Sequence, residues 1–566
     1  KEPEKKSEEA LADNARDAVR RAEWASAAER VARAEAALPM VQSYEASLPR
    51  GSVEQRNAKL DRVRALTLAD HLDEAAALFE TLGPAEELPL YGVMNGADLY
   101  ARRHEPERAQ VLLDLAAKRQ PDSRELLVAR YYNQLDLEQY DHAEQTLTKL
   151  RETTTDERSR RDVEIMSAMF AAYQNDLEQA QQQLEHMLRD EPHNTDIQLR
   201  LAQIYRWRGW PRRALGEYRS AADIADDPTS ARVGEIAALD DLHAFTQSHV
   251  RLQQLTASAP THPEVIQSNQ DRRLRERWDY SAQILTGHSS GGPVTTGGDL
   301  AFEQKLYSPP LGDQYRAFVH QRYDWADFPE GTGSANRLGV GGDFRSPALD
   351  GSAELTDRVP GGQLGLTVSG EWKFGDRFSA FGEAQTDSTQ VPLRAVHAGI
   401  DGHSETLGVL YRADESHSAR ASFSRAHFSD GNQRNALIAQ YQQTIFQDAR
   451  SKITGVVQGY YSDNSAGNNV PYFNPASESL IGIAGIYEGV LWRGGERRWA
   501  HRLQLGISDY EQKYFGSGGI WDAEYEQRWQ LSDSFSFNYG LLYRSRIYDG
   551  GREGYIAVLG GINWRF

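Results

Sequence analysis

Few residue groupings in this 566-residue chain are spaced to carry chemistry, and the first is Gly287-His-Ser-Ser-Gly291. It matches the G-x-S-x-G nucleophile pattern, which works only where a strand turns sharply into a helix and exposes the serine. Here Gly292-Pro293 continues a turn and no helical pattern follows, so no hydrolytic serine is expected. The 15 histidines are scattered without H-E-x-x-H or other ligand spacing, and cysteine is absent. A metal centre, a thiol nucleophile and a disulfide framework are therefore not expected. A phosphate loop of the G-x-x-x-x-G-K-[ST] kind is also missing, so energy must be supplied elsewhere and no cofactor is expected. The chain reads as a protein that is not an enzyme, with no catalytic residues.

The charged groups that remain fall on period-two patterns. Trp521, Ala523, Tyr525, Gln527, Trp529 and Leu531 alternate with Asp522, Glu524, Glu526 and Arg528. If the aromatic side faces lipid, the charged side faces an interior. The same phase puts Asp279, Glu371 and Glu383 inward, and the following strand contributes Arg544 and Arg546. Three carboxylates against one guanidinium would leave the Asp522 wall acidic and favourable to cations. The alternative is that these carboxylates pair with Arg502, Arg544 and Arg546 and merely hold the wall's shape.

Strands must position such groups, and the glycine-rich half of the chain supplies them. Of 47 glycines 40 lie after residue 270, as do 8 of 11 tryptophans, whereas the first 270 residues are rich in Ala, Leu, Glu, Gln and Arg. In the last stretch Ile556, Val558, Gly560, Ile562, Trp564 and Phe566 share one side, with Tyr555, Ala557, Leu559, Gly561, Asn563 and Arg565 on the other. A soluble sandwich shows the same local alternation. Tyr and Trp at strand ends, hairpin order without intervening helix, and the terminal Phe566 favour a membrane barrel. The 296 residues after Gln270 provide for about sixteen strands of roughly ten residues. Interiors of barrels that wide hold water and polar side chains.

The first half is a repeat array. Ala75, Ala109, Ala143, Ala180 and Ala214 recur at spacings of 34, 34, 37 and 34. That is the period of tetratricopeptide repeats, helix pairs in which a small residue lets the second helix approach the first. The unit Leu201, Ala202, Tyr205, Gly209, Ala214, Tyr218, Ala221, ended by Pro228, fits best. About five repeats are expected, with the three extra residues of the longer spacing in the turn-rich stretch Arg151 to Arg158. Residues 1–48 read as a helical lead-in or partial repeat, 49–247 as the array, 248–276 as a linker helix and 277–566 as the barrel. The fold class is α + β multidomain, an N-terminal α-solenoid followed by a C-terminal transmembrane antiparallel barrel.

Repeat arrays bind ligands on a concave surface, and the repeat frame turns Tyr91, Asp98, Glu125, Tyr132, Asp162, Tyr173 and Trp207 towards it. Aromatic faces with carboxylates suit a sugar chain; packing between repeats or docking of a protein partner is the plainer reading. The net charge of −19 divides into −13 before residue 271 and −6 after it, so nucleic acid is not an expected partner. No apolar run approaches the roughly 18 residues of a membrane helix. No leader precedes Lys1, so an exported protein is expected to have been processed or trimmed at its start.

Tetratricopeptide repeats followed by one C-terminal barrel resemble the outer-membrane secretins of exopolysaccharide synthesis. The stretch Tyr205-Arg-Trp-Arg-Gly-Trp-Pro-Arg-Arg-Ala214 resembles the repeat before the barrel in the poly-β-1,6-N-acetyl-D-glucosamine export porins. Cellulose-type export porins share the architecture, and a general porin with protein-docking repeats is a further alternative. The resemblance implies periplasmic repeats that engage a partly deacetylated polymer and a periplasmic deacetylase lipoprotein, and a barrel that passes the polymer through outer-membrane lipid for a biofilm matrix. Free amines on such a polymer are cationic, which suits an acidic chain.

Overall fold

The structure is a computed structural model that describes residues 2–23, 27–290, 297–359, 362–467 and 469–566. Two helices, Glu2–Glu23 and Ala27–Ser47, precede a series of helix pairs. The pairs are Val53–Leu68 with Leu72–Glu80, Leu90–Arg102 with Pro106–Arg119, Arg124–Asp136 with Tyr140–Thr153, Glu157–Tyr173 with Leu177–Asp190, Thr195–Trp207 with Pro211–Ile224, and Thr229–Asp241 with Phe245–Ser258. A single helix, Pro263–Arg275, leads into the first strand.

Local chemistry explains where these helices start and stop. Ser52, Asp156 and Asp176 accept hydrogen bonds from the backbone N–H groups of Gln55, Ser159 and Gln179 at 3.0, 2.8 and 3.0 Å, satisfying donors that a helix start leaves unpaired. The turn inside each pair contains one residue of positive φ: Asp70, His104, Glu138, Asn175, Gly209 and His243. These repeat the 34-residue period, with 37 once. Only Gly209 adopts this conformation without a Cβ penalty; Asp, Asn and His tolerate it better than most residues. Ala75, Ala109, Ala143, Ala180 and Ala214 are fully buried.

Two expectations are amended here. The array has a sixth pair, Thr229–Asp241 with Phe245–Ser258, so the segment 248–276 holds the rest of that pair and a further helix instead of one linker helix. Ser248, 34 residues after Ala214 and 2% exposed, takes the small-residue position. The extra residues of the long spacing extend the helix Glu157–Tyr173 to 17 residues against 13 in the equivalent helices of its neighbours, and Arg151 to Thr153 are helical.

Two compact units result. One comprises Lys1–Leu201, Tyr218–Val233 and Arg251–Asn269; the other comprises Ala202–Glu217, Gly234–Val250 and Gln270–Phe566. In the helical unit small residues set the approach of neighbouring helices, and a Cβ at Gly96 would meet the Phe79 ring and Leu112. Tyr131 packs its ring near Phe170 at 6.3 Å and donates its hydroxyl to the Met166 carbonyl at 3.2 Å.

The second unit contains a closed antiparallel barrel of sixteen strands, each paired with its sequence neighbours. They are β1 (Asp279–Ser290), β2 (Gly298–Tyr307), β3 (Tyr315–Phe328), β4 (Gly331–Arg345), β5 (Leu349–Val359), β6 (Gln363–Lys373), β7 (Phe378–Gln385), β8 (Gly402–Arg412), β9 (His417–Phe428), β10 (Gln433–Gln447), β11 (Ser451–Asn464), β12 (Ser477–Gly494), β13 (Arg497–Gln512), β14 (Gly516–Ser532), β15 (Phe535–Tyr548) and β16 (Gly551–Arg565). β16 closes on β1 in a register running from Asp279 opposite Arg565 to Ser290 opposite Gly554, and Trp278 and Phe566 exchange backbone hydrogen bonds at 3.1 Å. Closure leaves no edge strand unpaired.

Register fixes which side chains share a face, because directly paired residues point the same way. Ile483, Ile507 and Trp521 are paired in succession from β12 to β14, Ala523, Tyr543 and Ile556 likewise from β14 to β16, and Ile507 is 62% exposed. That face is a continuous apolar exterior. Trp521 and Trp529 lie on it eight residues apart, about 26 Å along a strand and about 20 Å along the membrane normal at the roughly 40° tilt of barrel strands, which falls within the height of a membrane barrel's apolar band. At one end Trp499 stacks on Trp529 at 4.7 Å, and at the other Trp521 stacks on Tyr543 at 4.3 Å. These stacks sit where interfacial aromatic girdles belong.

Candidate functional site

The opposite face of the wall encloses the lumen. Asp522, Glu524, Glu526 and Arg528 alternate with the exterior aromatics of β14; Arg544 stands opposite Asp522, and Arg546 is on the same side of β15 opposite Glu553. Glu371 pairs with Asp350 and Phe381, Glu383 with Ser369 and Thr406, and Asp279 with Arg565 and Tyr307, all in the inward phase. A cavity lined by Glu524 and Glu526 also touches Gln283, Glu303 and Asp324 of β1 to β3, so this face looks into a shared interior.

The acidic excess expected along β14 is largely cancelled across strands. Arg502 of β13 pairs with Glu524 at 2.7 Å, and Arg528 pairs with Glu526 at 2.8 Å and with Glu488 of β12 at 2.9 Å. Asp522 takes a hydrogen bond from Gln504 at 3.3 Å. Counting charges along one strand misses partners that the register supplies from the next. Arg546 lies over the Tyr555 ring at 4.4 Å, and Asp279 pairs with Arg565 at 3.4 Å and Arg316 at 3.6 Å. Glu371 and Glu383 are in no ion pair among the described residues; Glu383 accepts from Gln385 at 3.0 Å.

At the end of the barrel away from Asp279 and Phe566, two long connections form a cluster of their own. Residues 386–401 include the short helix Leu393–His397, and residues 465–476 carry Tyr472 and Asn474. Val391, Ala395, Ala426, Phe428 and Tyr472 are buried together, with the Phe428 and Tyr472 rings stacked at 5.3 Å. Asp387, almost wholly buried, is held by Arg337 at 2.8 Å and Arg358 at 3.6 Å. Arg394 reaches both oxygens of Glu330, at 2.7 and 2.9 Å, and keeps that carboxyl below its ordinary range. Burial, with Asp430 beside it at 2.9 Å, pushes the Tyr472 phenol up to about 12. Sequence reasoning missed these residues; the length of the two connections was the available signal. Of the Gly287–Gly291 motif, Gly287 to Ser290 lie in β1, while Gly291 and the Gly292-Pro293 turn fall outside the described residues.

At the other end the barrel's short turns hold the segments Ala202–Glu217 and Gly234–Val250 of the same unit. Arg208, buried, pairs with Asp414 at 3.2 Å and Glu415 at 3.1 Å, and the Trp210 indole donates to the Ala413 carbonyl at 2.8 Å. Asp376 accepts from the backbone N–H groups of Arg212 and Arg213 at 3.1 and 3.2 Å, so a turn carboxylate caps the helix starting at Pro211. His249 and Arg272 hold Asp313 at 3.2 and 3.0 Å. Burial alone would raise the Asp313 carboxyl, but those two bonds outweigh it and hold the group below its ordinary range. Asp414 behaves likewise, lowered against burial by His417, the Ser416 N–H and Arg208.

The repeat residues are divided between the units. Tyr91, Asp98, Glu125, Tyr132, Asp162 and Tyr173 belong to the helical unit, and Trp207 to the barrel-containing one. Asp98 is already paired with Arg64 at 2.5 Å and Arg102 at 3.1 Å, and Asp162 with Arg124 at 2.8 Å. Glu125 is exposed in the first turn of its helix. Tyr132 is 49% exposed and meets Tyr131 edge-on at 5.2 Å. Burial beside Asp61 pushes the Tyr91 phenol up to about 12, and burial also raises Tyr173. Among the described residues no group of three or more His, Asp or Glu side chains is arranged to hold a metal ion.

The family described as the PgaA membrane beta barrel domain matches residues 275–566. Two proteins named poly-beta-1,6-N-acetyl-D-glucosamine export protein, from Escherichia coli strain K12 and Escherichia coli O157:H7, are each 26% identical over 543 residues, or 92% of this chain. The chain spans 66% of the length of these relatives. A solved bacterial polysaccharide outer membrane secretin is similar at 27% identity and a TM-score of 0.49, covering 52% of this chain and 99% of that one. A tetratricopeptide repeat protein from Parabacteroides merdae is similar at 14% identity and a TM-score of 0.36, over 46% of this chain and 99% of that one. The family match takes in more than half of the residues, and the chain belongs to the PgaA membrane β-barrel family, an outer-membrane barrel preceded by tetratricopeptide repeats in the periplasm.

Proposed function

We propose that the barrel exports an exopolysaccharide, partly deacetylated poly-β-1,6-N-acetylglucosamine, and that the repeats engage the polymer and a periplasmic deacetylase. The observation that carries this reading is a closed sixteen-strand barrel with an apolar exterior and a polar, charged interior, in a chain whose curated relatives are named as exporters of that polymer. A hydrated polysaccharide needs a wide polar lumen and hydrogen-bonding walls. Cationic amines on the polymer suit the carboxylates Glu371, Glu383 and Asp522 on the inward face. Transport along such a path needs no catalysis by the barrel itself.

Deleting the gene tests the reading. Polymer trapped in the periplasm, with secretion restored by the full chain, is the expected result. Unchanged secretion would favour a general porin with docking repeats, and altered polymer length or acylation would favour an enzyme.

A further inference from the structure

The structure assigns Trp207 to a second role: we propose that it forms, with the strand ends beside it, a binding station at the barrel mouth for one pyranose unit of a mostly neutral, N-acylated sugar chain. The proposal rests on the export reading and names the chemistry of one step along the path. A cavity of about 420 Å³ lies at this end of the barrel, lined by Trp207, Arg206, Asp241, Glu371, Phe378 and Arg412 among others. That volume is in the range of small-molecule sites. Trp207 lines the cavity and is 39% exposed, and an indole ring is the kind of side chain that packs against the apolar face of a sugar.

The surrounding charges argue for a neutral ring over a cation. Arg206 pairs with Asp241 at 2.7 Å, Arg212 with Asp376 at 3.4 Å and Lys373 with Asp350 at 2.7 Å. Glu371, Arg377 and Arg412 also line the cavity and are in no ion pair among the described residues, so the lining holds more cationic groups than carboxylates and does not attract a cation, while each pair still presents donors and acceptors to hydroxyl or acetamide groups. Trp207 is also held in place. The next residue, Arg208, is tied to Asp414 and Glu415, Gly209 turns the chain at a φ of +81°, and Asp376 caps the helix that follows. A bound ring would not stop there. A second cavity of about 390 Å³ shares Glu371 and Leu410 with the first and continues along β5 to β9 past Phe381, Ser352 and Thr406.

The test uses the full chain in planar bilayers, with a fully acetylated β-1,6-linked N-acetylglucosamine hexamer added from the repeat-bearing side. The hexamer is expected to interrupt the current, and Trp207→Ala to shorten the mean block about tenfold, the scale of one lost aromatic stacking contact. Trp207→Phe should retain most of the block, and added salt should leave the ratio of variant to wild type unchanged. Should the alanine variant fail to conduct, Trp207→Leu removes the ring while keeping apolar volume and gives the same readout. Block times equal to wild type in the conducting alanine or leucine variant overturn the station. Secretion by cells carrying the same variants separates the two ideas. Wild type that blocks but does not restore secretion defeats the export reading alone, and restored secretion with unaltered block in the variant defeats the station alone.

Discussion

Two stretches of the barrel wall, β12 to β15 and β6 to β7, carry inward carboxylates to different effect. β14 and β6 are eight strands apart in a ring of sixteen, so they face each other across the lumen. On the first wall Arg502 and Arg528 neutralise Glu524 and Glu526; on the second, Glu371 and Glu383 stand without a cationic partner among the described residues. A carboxylate clasped by a guanidinium holds the wall together and contributes little field to the lumen. One without a partner contributes its charge to whatever passes. The helical unit repeats the first pattern, with Asp98 and Asp162 clasped by Arg64, Arg102 and Arg124. Acidic composition therefore says little about where a cationic ligand is attracted. The position of the arginines decides it.

The largest expected effect is on stability, and it can break the comparison outright. Glu526 is 8% exposed and its charge is offset by Arg528, which would keep only Glu488 as a partner, whereas Arg502 is the one ion-pair partner of Glu524 among the described residues. Glu526→Gln, and Arg502→Gln on the neighbouring pair, should each lower barrel stability by about 1 to 3 kcal/mol. Glu371→Gln and Glu383→Gln should leave stability unchanged or slightly higher, because no ion pair is lost. Urea unfolding of the barrel in lipid vesicles measures this. Equal losses at all four positions would mean that the two walls do not differ.

Selectivity should respond in the reverse order. The double change Glu371→Gln with Glu383→Gln is expected to lower the cation preference in a reversal-potential measurement by severalfold. Removing Arg502 and Glu524 together, both to Gln, deletes a matched pair and should leave the preference nearly unchanged. A larger shift from the matched pair than from the two unmatched carboxylates would place the field of the lumen on the wrong wall.

How much of this was legible in the sequence follows from how local each signal is. Strand phase needs only neighbouring residues, and Asp522, Glu524 and Glu526 fall on one side of β14 as the period-two pattern requires. Their neutralisation by Arg502 depends on the register between β13 and β14, which no single strand encodes. The repeat period was legible wherever alanine marked it and failed at Ser248, which fills the same small position with a different residue. The positive-φ residues, at the same period, mark the sixth pair through His243, but as Asp, His, Glu, Asn and Gly they share no common side chain to search for. The Asp387–Arg337 cluster lies in a connection without periodicity, where burial arises only from chain segments brought together by closure of the barrel. The Asp376 cap is similar, since a turn residue in the barrel completes a helix 164 residues earlier.

The smallest effect concerns the helical unit, where the comparison can be sharpened on an exposed surface. Asp98 and Asp162 were expected from the sequence to draw amines of a partly deacetylated oligomer, together with Glu125. Asp98 already shares its carboxylate between two guanidinium groups, and Asp162 holds Arg124. An incoming ammonium gains little from a charge that is already compensated, and it must compete with arginines fixed by the fold. Glu125 is exposed and in no ion pair among the described residues. Glu125→Gln should therefore weaken binding of a partly deacetylated β-1,6-glucosamine oligomer by a few tenths of a kcal/mol, within the 0.2 to 1 kcal/mol typical of exposed pairs. Asp98→Asn and Asp162→Asn should change it by less, and the Glu125 effect should fade as salt is raised because an exposed charge is screened. Titration calorimetry on the full chain at two salt concentrations reads all three. An Asp98→Asn loss exceeding that of Glu125→Gln would show that the oligomer displaces the arginines, and that clasped carboxylates in this chain remain open to a cationic sugar.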